Sequence, residues 1–147
     1  MRREPKWVSK QSVLAFHEKL LADHGGAPGL LDEGLLDASL ASPKNHFAYE
    51  PVDIVRLAAA YAYAITRNHP FTDGNKRVAL TVAGVFLELN GFRLDASEQD
   101  AATAILALSS GQMDEHQLAE WLRVSCSALP PRPRPVPRRR PKTLKKK

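Results

Sequence analysis

His69-Pro70-Phe71-Thr72-Asp73-Gly74-Asn75-Lys76-Arg77 runs without a break into Val78-Ala79-Leu80-Thr81-Val82-Ala83-Gly84-Val85-Phe86-Leu87-Glu88-Leu89, and this junction decides the fold. The second stretch is apolar over most of a helical circumference and closes on Asn90-Gly91, a helix-stop signal. A helix of that composition belongs in the interior, so its start is well anchored. Such a start carries backbone N–H groups without intrahelical partners and a partial positive charge. A phosphate placed there meets those amides together with the side chains of Asn75, Lys76 and Arg77. The segment 69–77 is therefore read as the active site.

Upstream and downstream of the motif the chain reads as helix after helix. Ser9 is positioned to cap a helix from about Lys10 to Asp23, whose stripe of Val13, Leu14, Phe16, Leu20 and Leu21 ends at Gly25-Gly26. Asp32 caps a short one, Glu33 to Ala41, which is expected to stop before Pro43, with 25–29 an ordered loop or turn between the two. Asp53 caps a third, from Ile54 to near Asn68, apolar nearly all round and rich in alanine. Its small side chains permit close approach, which places it at the centre of a bundle beside the helix after the motif. Ser97 with Asp100, and Asp114 with Gln117, resemble capping boxes for helices reaching about Ser110 and Cys126. No strand series is evident, and Phe92-Arg93-Leu94 is too short to build a sheet. The expected architecture is all-α, a compact bundle of about six helices.

Length and composition fit a single domain over residues 1–129. The chain has 147 residues, 44% of them hydrophobic, enough for one core. No apolar stretch is long enough to span a bilayer, and Met1-Arg2-Arg3-Glu4-Pro5 lacks the apolar run of a secretory signal, so a cytoplasmic protein without membrane contact is expected. With Cys126 the sole cysteine, an internal disulfide and a cysteine metal cluster are excluded, and a small buried hydrophobe is the simplest reading of it.

The net charge of +5 conceals an uneven distribution. Nine of the 21 Lys and Arg fall in 130–147, which holds no acid, leaving 12 basic against 16 acidic groups in 1–129, a net charge of −4. The stretch 130–147 has almost no apolar content and is read as a disordered tail with a polyproline bias. Two roles stay open for it: weak contact with ribosomes or RNA through phosphate attraction, or a solvated tail that raises solubility.

Within the motif each residue has a chemical and a structural reading. His69 follows a helix end, where histidine also caps carbonyls, but an imidazole a few residues from a phosphate-type helix start is placed to take a proton from an attacking hydroxyl. Asp73 is a capping acid or the single carboxylate that magnesium uses beside nucleotide oxygens; the metal reading is preferred. Pro70 ends the preceding helix, and Phe71 supplies a buried wedge that orients His69 and Asp73. Gly74 permits positive φ or close ligand approach, and Arg77 offers a forked donor suited to phosphate.

The nine residues 69–77 resemble the signature of the Fic/Doc superfamily, and specifically its death-on-curing (Doc) branch. Trp7-Val8-Ser9, Gly25-Gly26-Ala27-Pro28-Gly29-Leu30, Phe47-Ala48-Tyr49 and Phe86-Leu87-Glu88-Leu89-Asn90-Gly91 extend the resemblance over about residues 7 to 124. It implies an all-helical Fic fold with the motif between two central helices. Fic nucleotidyl transferases resemble His-Pro-Phe-x-(Asp/Glu)-Gly-Asn-Gly-Arg-x-x-Arg; here Lys76 stands at the second glycine and Leu80 at the last arginine. Both changes alter phosphate binding. The Doc branch holds ATP in the reverse sense, so the resemblance implies phosphorylation, with a threonine of elongation factor Tu as the family's target. Carried over, His69 activates the threonine hydroxyl, Asp73 holds Mg2+, and Gly74, Asn75, Lys76, Arg77 and the helix amides bind ATP, with Lys76 and Arg77 also acting in catalysis.

The same resemblance implies a toxin held in check by a small Phd-like antitoxin. Some Fic proteins carry their own inhibitory helix of pattern (Ser/Thr)-x-x-x-Glu-(Gly/Asn), but the nearest stretch, Gly29 to Gly34, has Gly29 in place of the hydroxyl residue, so restraint is expected in trans. Two alternatives compete with a kinase: adenylylation by an ordinary Fic mechanism, and a non-catalytic module that docks on ribosomes or RNA through the tail.

Overall fold

Five of the six helices in the described part of the chain start at a side chain that accepts a hydrogen bond from the backbone N–H three residues on. The structure is a computed structural model and describes residues 3–130; the basic tail from 131 onward lies outside the described residues. Its helices are α1 (Lys10–His24), α2 (Glu33–Tyr49), α3 (Ile54–Asn68), α4 (Asn75–Leu89), α5 (Glu98–Ser109) and α6 (Glu115–Ser125). Ser9, Asp32, Asp53, Ser97 and Asp114 are the caps of all but α4. Each satisfies one of the N–H groups that a helix start leaves unpaired. Asp114 and Gln117 form the reciprocal box in full. Ser97 forms only its own half, because Asp100 is one methylene shorter than the Glu or Gln that reaches back in such a box.

Alanine-rich α3 lies at the centre, as its composition requires, and packs most extensively on α4 and α2, then on α6. Its buried face includes Leu57, Ala58, Ala59, Tyr61, Ala62 and Ile65, and α4 meets it with Val78, Val82, Ala83 and Phe86. Small side chains on α3 allow the two axes to approach closely. The N-terminal segment is tied to this core: the Val8 N–H donates to the Tyr61 hydroxyl at 3.1 Å, and the Trp7 ring stacks on Phe86 and meets Phe47 edge-on. Burial pushes the Tyr61 phenol up to about 12. Among the described residues no helix is long and apolar enough to cross a membrane.

Two expectations are corrected. The second helix does not stop before Pro43; α2 runs through it to Tyr49. Proline removes one backbone hydrogen bond, but the Pro43 ring is fully buried in the core, and that apolar burial offsets the loss. Phe92-Arg93-Leu94 does form a strand, β1 (Phe92–Leu94), paired antiparallel with β2 (Cys126–Ala128), with Phe92 opposite Ala128 and Leu94 opposite Cys126. Three residues suffice because each strand is anchored at one end by a packed helix, α4 before β1 and α6 before β2. Cys126 sits half-buried against the core in β2, and burial pushes its thiol up, which suits packing better than nucleophilic chemistry.

Candidate active site

Residues 69–74 connect the two central helices, and every part of that connection is pinned. His69 closes α3 in the left-handed region at φ 53°, the sole non-glycine residue with positive φ among those described, and its N–H donates to the Ile65 carbonyl. Pro70 is buried; its carbonyl accepts from the Leu31 and Asp32 amides at 2.8 and 3.0 Å. Phe71 is fully buried and bridges to Leu30, and the Thr72 N–H donates to the Gly29 carbonyl. The α1–α2 loop is thus stitched along the motif. Backbone at this density of pairing holds His69 and Asp73 on a fixed frame.

Asp73 is held by its own surroundings. One carboxylate oxygen accepts from the Gly74 N–H at 2.9 Å, the other from the Ala27 N–H at 3.2 Å. The carboxylate does not cap α4: the N-cap is Gly74, at φ 82°, and no side chain bonds the first-turn amides. Those amides and their partial positive charge stay available to an anion. Gly26 is what lets the loop come so close, since a Cβ there would lie 2.8 Å from the Asp73 carboxylate oxygen, at a φ of 124° that side chains rarely adopt.

Asn75 takes a different role from the one its position suggests. Its side chain is 3% exposed and turns back into the loop, accepting from the Phe71 N–H at 2.9 Å and donating to the Phe71 carbonyl at 2.8 Å. The carboxamide thus pins the loop through Phe71. What Asn75 keeps for a ligand is its backbone N–H at the first position of α4. Lys76 and Arg77 are exposed on the first turn, and neither enters an ion pair among the described residues.

These residues converge. His69, Asp73, Gly74, Asn75, Lys76 and Arg77 all line one cavity of about 640 Å³. Its volume is in the range of pockets that enclose a nucleotide-sized ligand. The far wall, which the motif alone does not announce, comes from Ala101, Ala102, Ile105 and Leu106 of α5, with Leu80 of α4 and Leu20 and His24 of α1. The motif side is thus cationic and rich in N–H donors, and the facing wall is mostly apolar, with His24 and Glu98 as polar members. Among the described residues no three His, Cys, Asp or Glu side chains cluster as a metal site. A metal at Asp73 would have to complete its shell with ligand oxygens and water, which is the habit of magnesium bound with nucleotide phosphates.

His17, Gly26 and Ala27 were not singled out by the motif. His17 lies four residues after the fully buried Val13, on the same face of α1, and a polar residue at such a position is the signal that was available. Gly26 and Ala27 lie in the glycine-rich loop that the sequence marks as ordered and as part of the family resemblance, without a contact to the motif.

Comparison with known proteins gives the chain a family. The Fic/DOC family model matches residues 7–87. The chain is 32% identical over 117 residues to "Protein kinase doc" of Escherichia phage P1, covering 79% of this chain and 92% of the phage protein. It is 43% identical over 75 residues to "Toxin Doc" of Mycolicibacterium smegmatis, covering 49% of this chain and 57% of that protein. Motif, helical fold and relatives all point one way: the chain belongs to the Fic/DOC family, in its Doc branch.

Proposed function

We propose that the protein is a Doc-type toxin that transfers the γ-phosphate of ATP to a hydroxyl of a translation factor, a threonine of elongation factor Tu being the first candidate. The observation that carries this reading is the single cavity in which His69, Asp73, Lys76, Arg77 and the uncapped start of α4 meet. The relative named as a protein kinase supports the same reaction.

The residues divide the work. The acceptor hydroxyl gives its proton to His69 as its oxygen bonds the γ-phosphorus; the bond between that phosphorus and the β–γ bridging oxygen breaks, and the electron pair leaves with ADP. Lys76, Arg77 and the first-turn amides of α4 offset the charge on the phosphate oxygens. Asp73 supplies the carboxylate for Mg2+, which when bound neutralises phosphate charge and orients the chain of phosphates. The mostly apolar wall of α5 takes the nucleoside end.

Adenylyl transfer is the competing reading, and two positions argue against it. Lys76 fills the space that a glycine would leave for a phosphate, and Leu80 lines the cavity with an apolar side chain where Fic transferases resemble one another in having arginine. We further propose a Phd-like antitoxin as the partner that restrains the toxin, a cytoplasmic location, and at most weak ribosome or RNA contact through the tail. Parallel reactions with ATP labelled at the γ- or the α-phosphate, magnesium and purified elongation factor Tu test the reaction type. Label moving from the γ position alone supports the kinase; label moving from the α position means adenylylation.

A further inference from the structure

His17 is one of three buried polar side chains among the described residues, at 5% exposure, and its ring reaches from α1 to the motif loop. Its ring stacks on Phe71 with centroids 3.9 Å apart and planes 18° from parallel. Its Nε2 lies 2.8 Å from the Asp73 carbonyl oxygen. A carbonyl only accepts, so Nε2 carries the proton and donates.

The target of that bond is informative. The Asp73 carbonyl and the Gly74 N–H belong to one peptide plane. His17 holds the carbonyl edge, and the Asp73 carboxylate holds the N–H edge at 2.9 Å. Gly74 follows this plane at φ 82° and has no Cβ, so the backbone itself offers little resistance to rotation of the plane. A rotation would carry the Gly74 N–H away from the carboxylate and leave Asp73 held only by the longer contact to Ala27. A histidine that merely filled space would need no polar partner there, and a leucine or phenylalanine would serve.

We propose that His17 is a positioning residue for phosphoryl transfer: by donating to the Asp73 carbonyl while stacked on Phe71, it locks the Asp73–Gly74 peptide and so fixes the Asp73 carboxylate beside the start of α4. The inference deepens the kinase reading and rests on it for its catalytic consequence. Its structural half is independent of activity.

Two variants separate the hydrogen bond from the packing. His17→Phe keeps an aromatic ring of similar size but loses the donor; His17→Gln carries an amide N–H at about the reach of Nε2. In isotope-labelled full-length protein, exchange of the Gly74 amide with solvent is expected to accelerate in His17→Phe by about tenfold or more and to return toward wild type in His17→Gln, since the locked plane is what protects it. Magnesium-dependent tightening of ATP binding, followed by calorimetry, is expected to track the same order. Turnover is expected to fall about ten- to a hundredfold in His17→Phe with KM for the acceptor protein little changed, and to recover in His17→Gln. Wild-type exchange and magnesium coupling in His17→Phe would overturn the proposal, as would equal losses in both variants alongside a drop in melting temperature, which would mark a packing role. If wild-type protein transfers no phosphate, the kinase reading fails on its own, and the Gly74 exchange rates still decide whether His17 locks the peptide.

Discussion

The Asn75 side chain grips both backbone polar groups of Phe71, one from the N–H and one to the carbonyl, while the Phe71 ring is fully buried against His17. This pair closes the motif loop like a side-chain imitation of a backbone turn. Asn75→Ala leaves two buried backbone groups unsatisfied, at about 1–3 kcal/mol each. The variant is expected to lose about 2–4 kcal/mol of stability in denaturant titration. Loss of activity with an unchanged midpoint would instead make Asn75 a ligand-contacting residue.

His69 combines an exposed imidazole with a left-handed backbone, and the two roles separate by substitution. His69→Asn keeps a residue that tolerates positive φ but lacks a general base. Transfer is expected to fall by at least about a hundredfold while the melting temperature stays near wild type. Near-normal phosphorylation in this variant would remove His69 from the chemistry.

Asp73→Asn keeps the shape of the carboxylate and loses its charge. Magnesium is expected to stop strengthening ATP binding, with metal-free binding little affected. Gly26→Ala tests the same group from the loop: the new Cβ meets the Asp73 carboxylate at 2.8 Å and must displace it. Turnover is expected to drop although no motif residue has changed. Calorimetry with and without magnesium reads both variants.

Most of the helical frame was legible because its signals are local. Ser9, Asp32, Asp53, Ser97 and Asp114 each bond the N–H three residues on, so a polar residue before an apolar run marked five helix starts. Pro43 misled, since a rule about isolated backbone cannot see a ring buried in a core. The motif announced His69, Asp73, Lys76 and Arg77 as neighbours of one site, and the cavity brings them together. Asn75 lines the same cavity while its carboxamide bonds Phe71, a partner that spacing could not show, because spacing gives position along a helix start and not the direction in which a side chain turns. His17, Ala27 and the α5 wall reach the site only through tertiary packing, at sequence separations where no periodicity operates.

Asp53 links the start of α3 to Arg123 of α6 by an ion pair while capping its own helix. Burial pushes its carboxyl up, but the Arg123 guanidinium and the Arg56 N–H more than offset this and hold it below the ordinary value. A depressed value in the folded state means stability that is present above the unfolded value of about 4 and lost as pH falls through the folded one. Asp53→Asn preserves the cap and removes the charge. It is expected to cost about 1 kcal/mol or less at neutral pH, because the pair is partly exposed. The difference from wild type is expected to vanish in acid, which paired denaturant titrations across pH would show.

Phosphoryl transfer through His69 has one direct test. Elongation factor Tu is incubated with the purified protein, ATP and magnesium, and its intact mass is read alongside a reaction with His69→Ala. The expected result is a gain of one phosphoryl group with the wild-type protein and no change with the variant. A gain of AMP, or a phosphoryl gain that persists in His69→Ala, would contradict it.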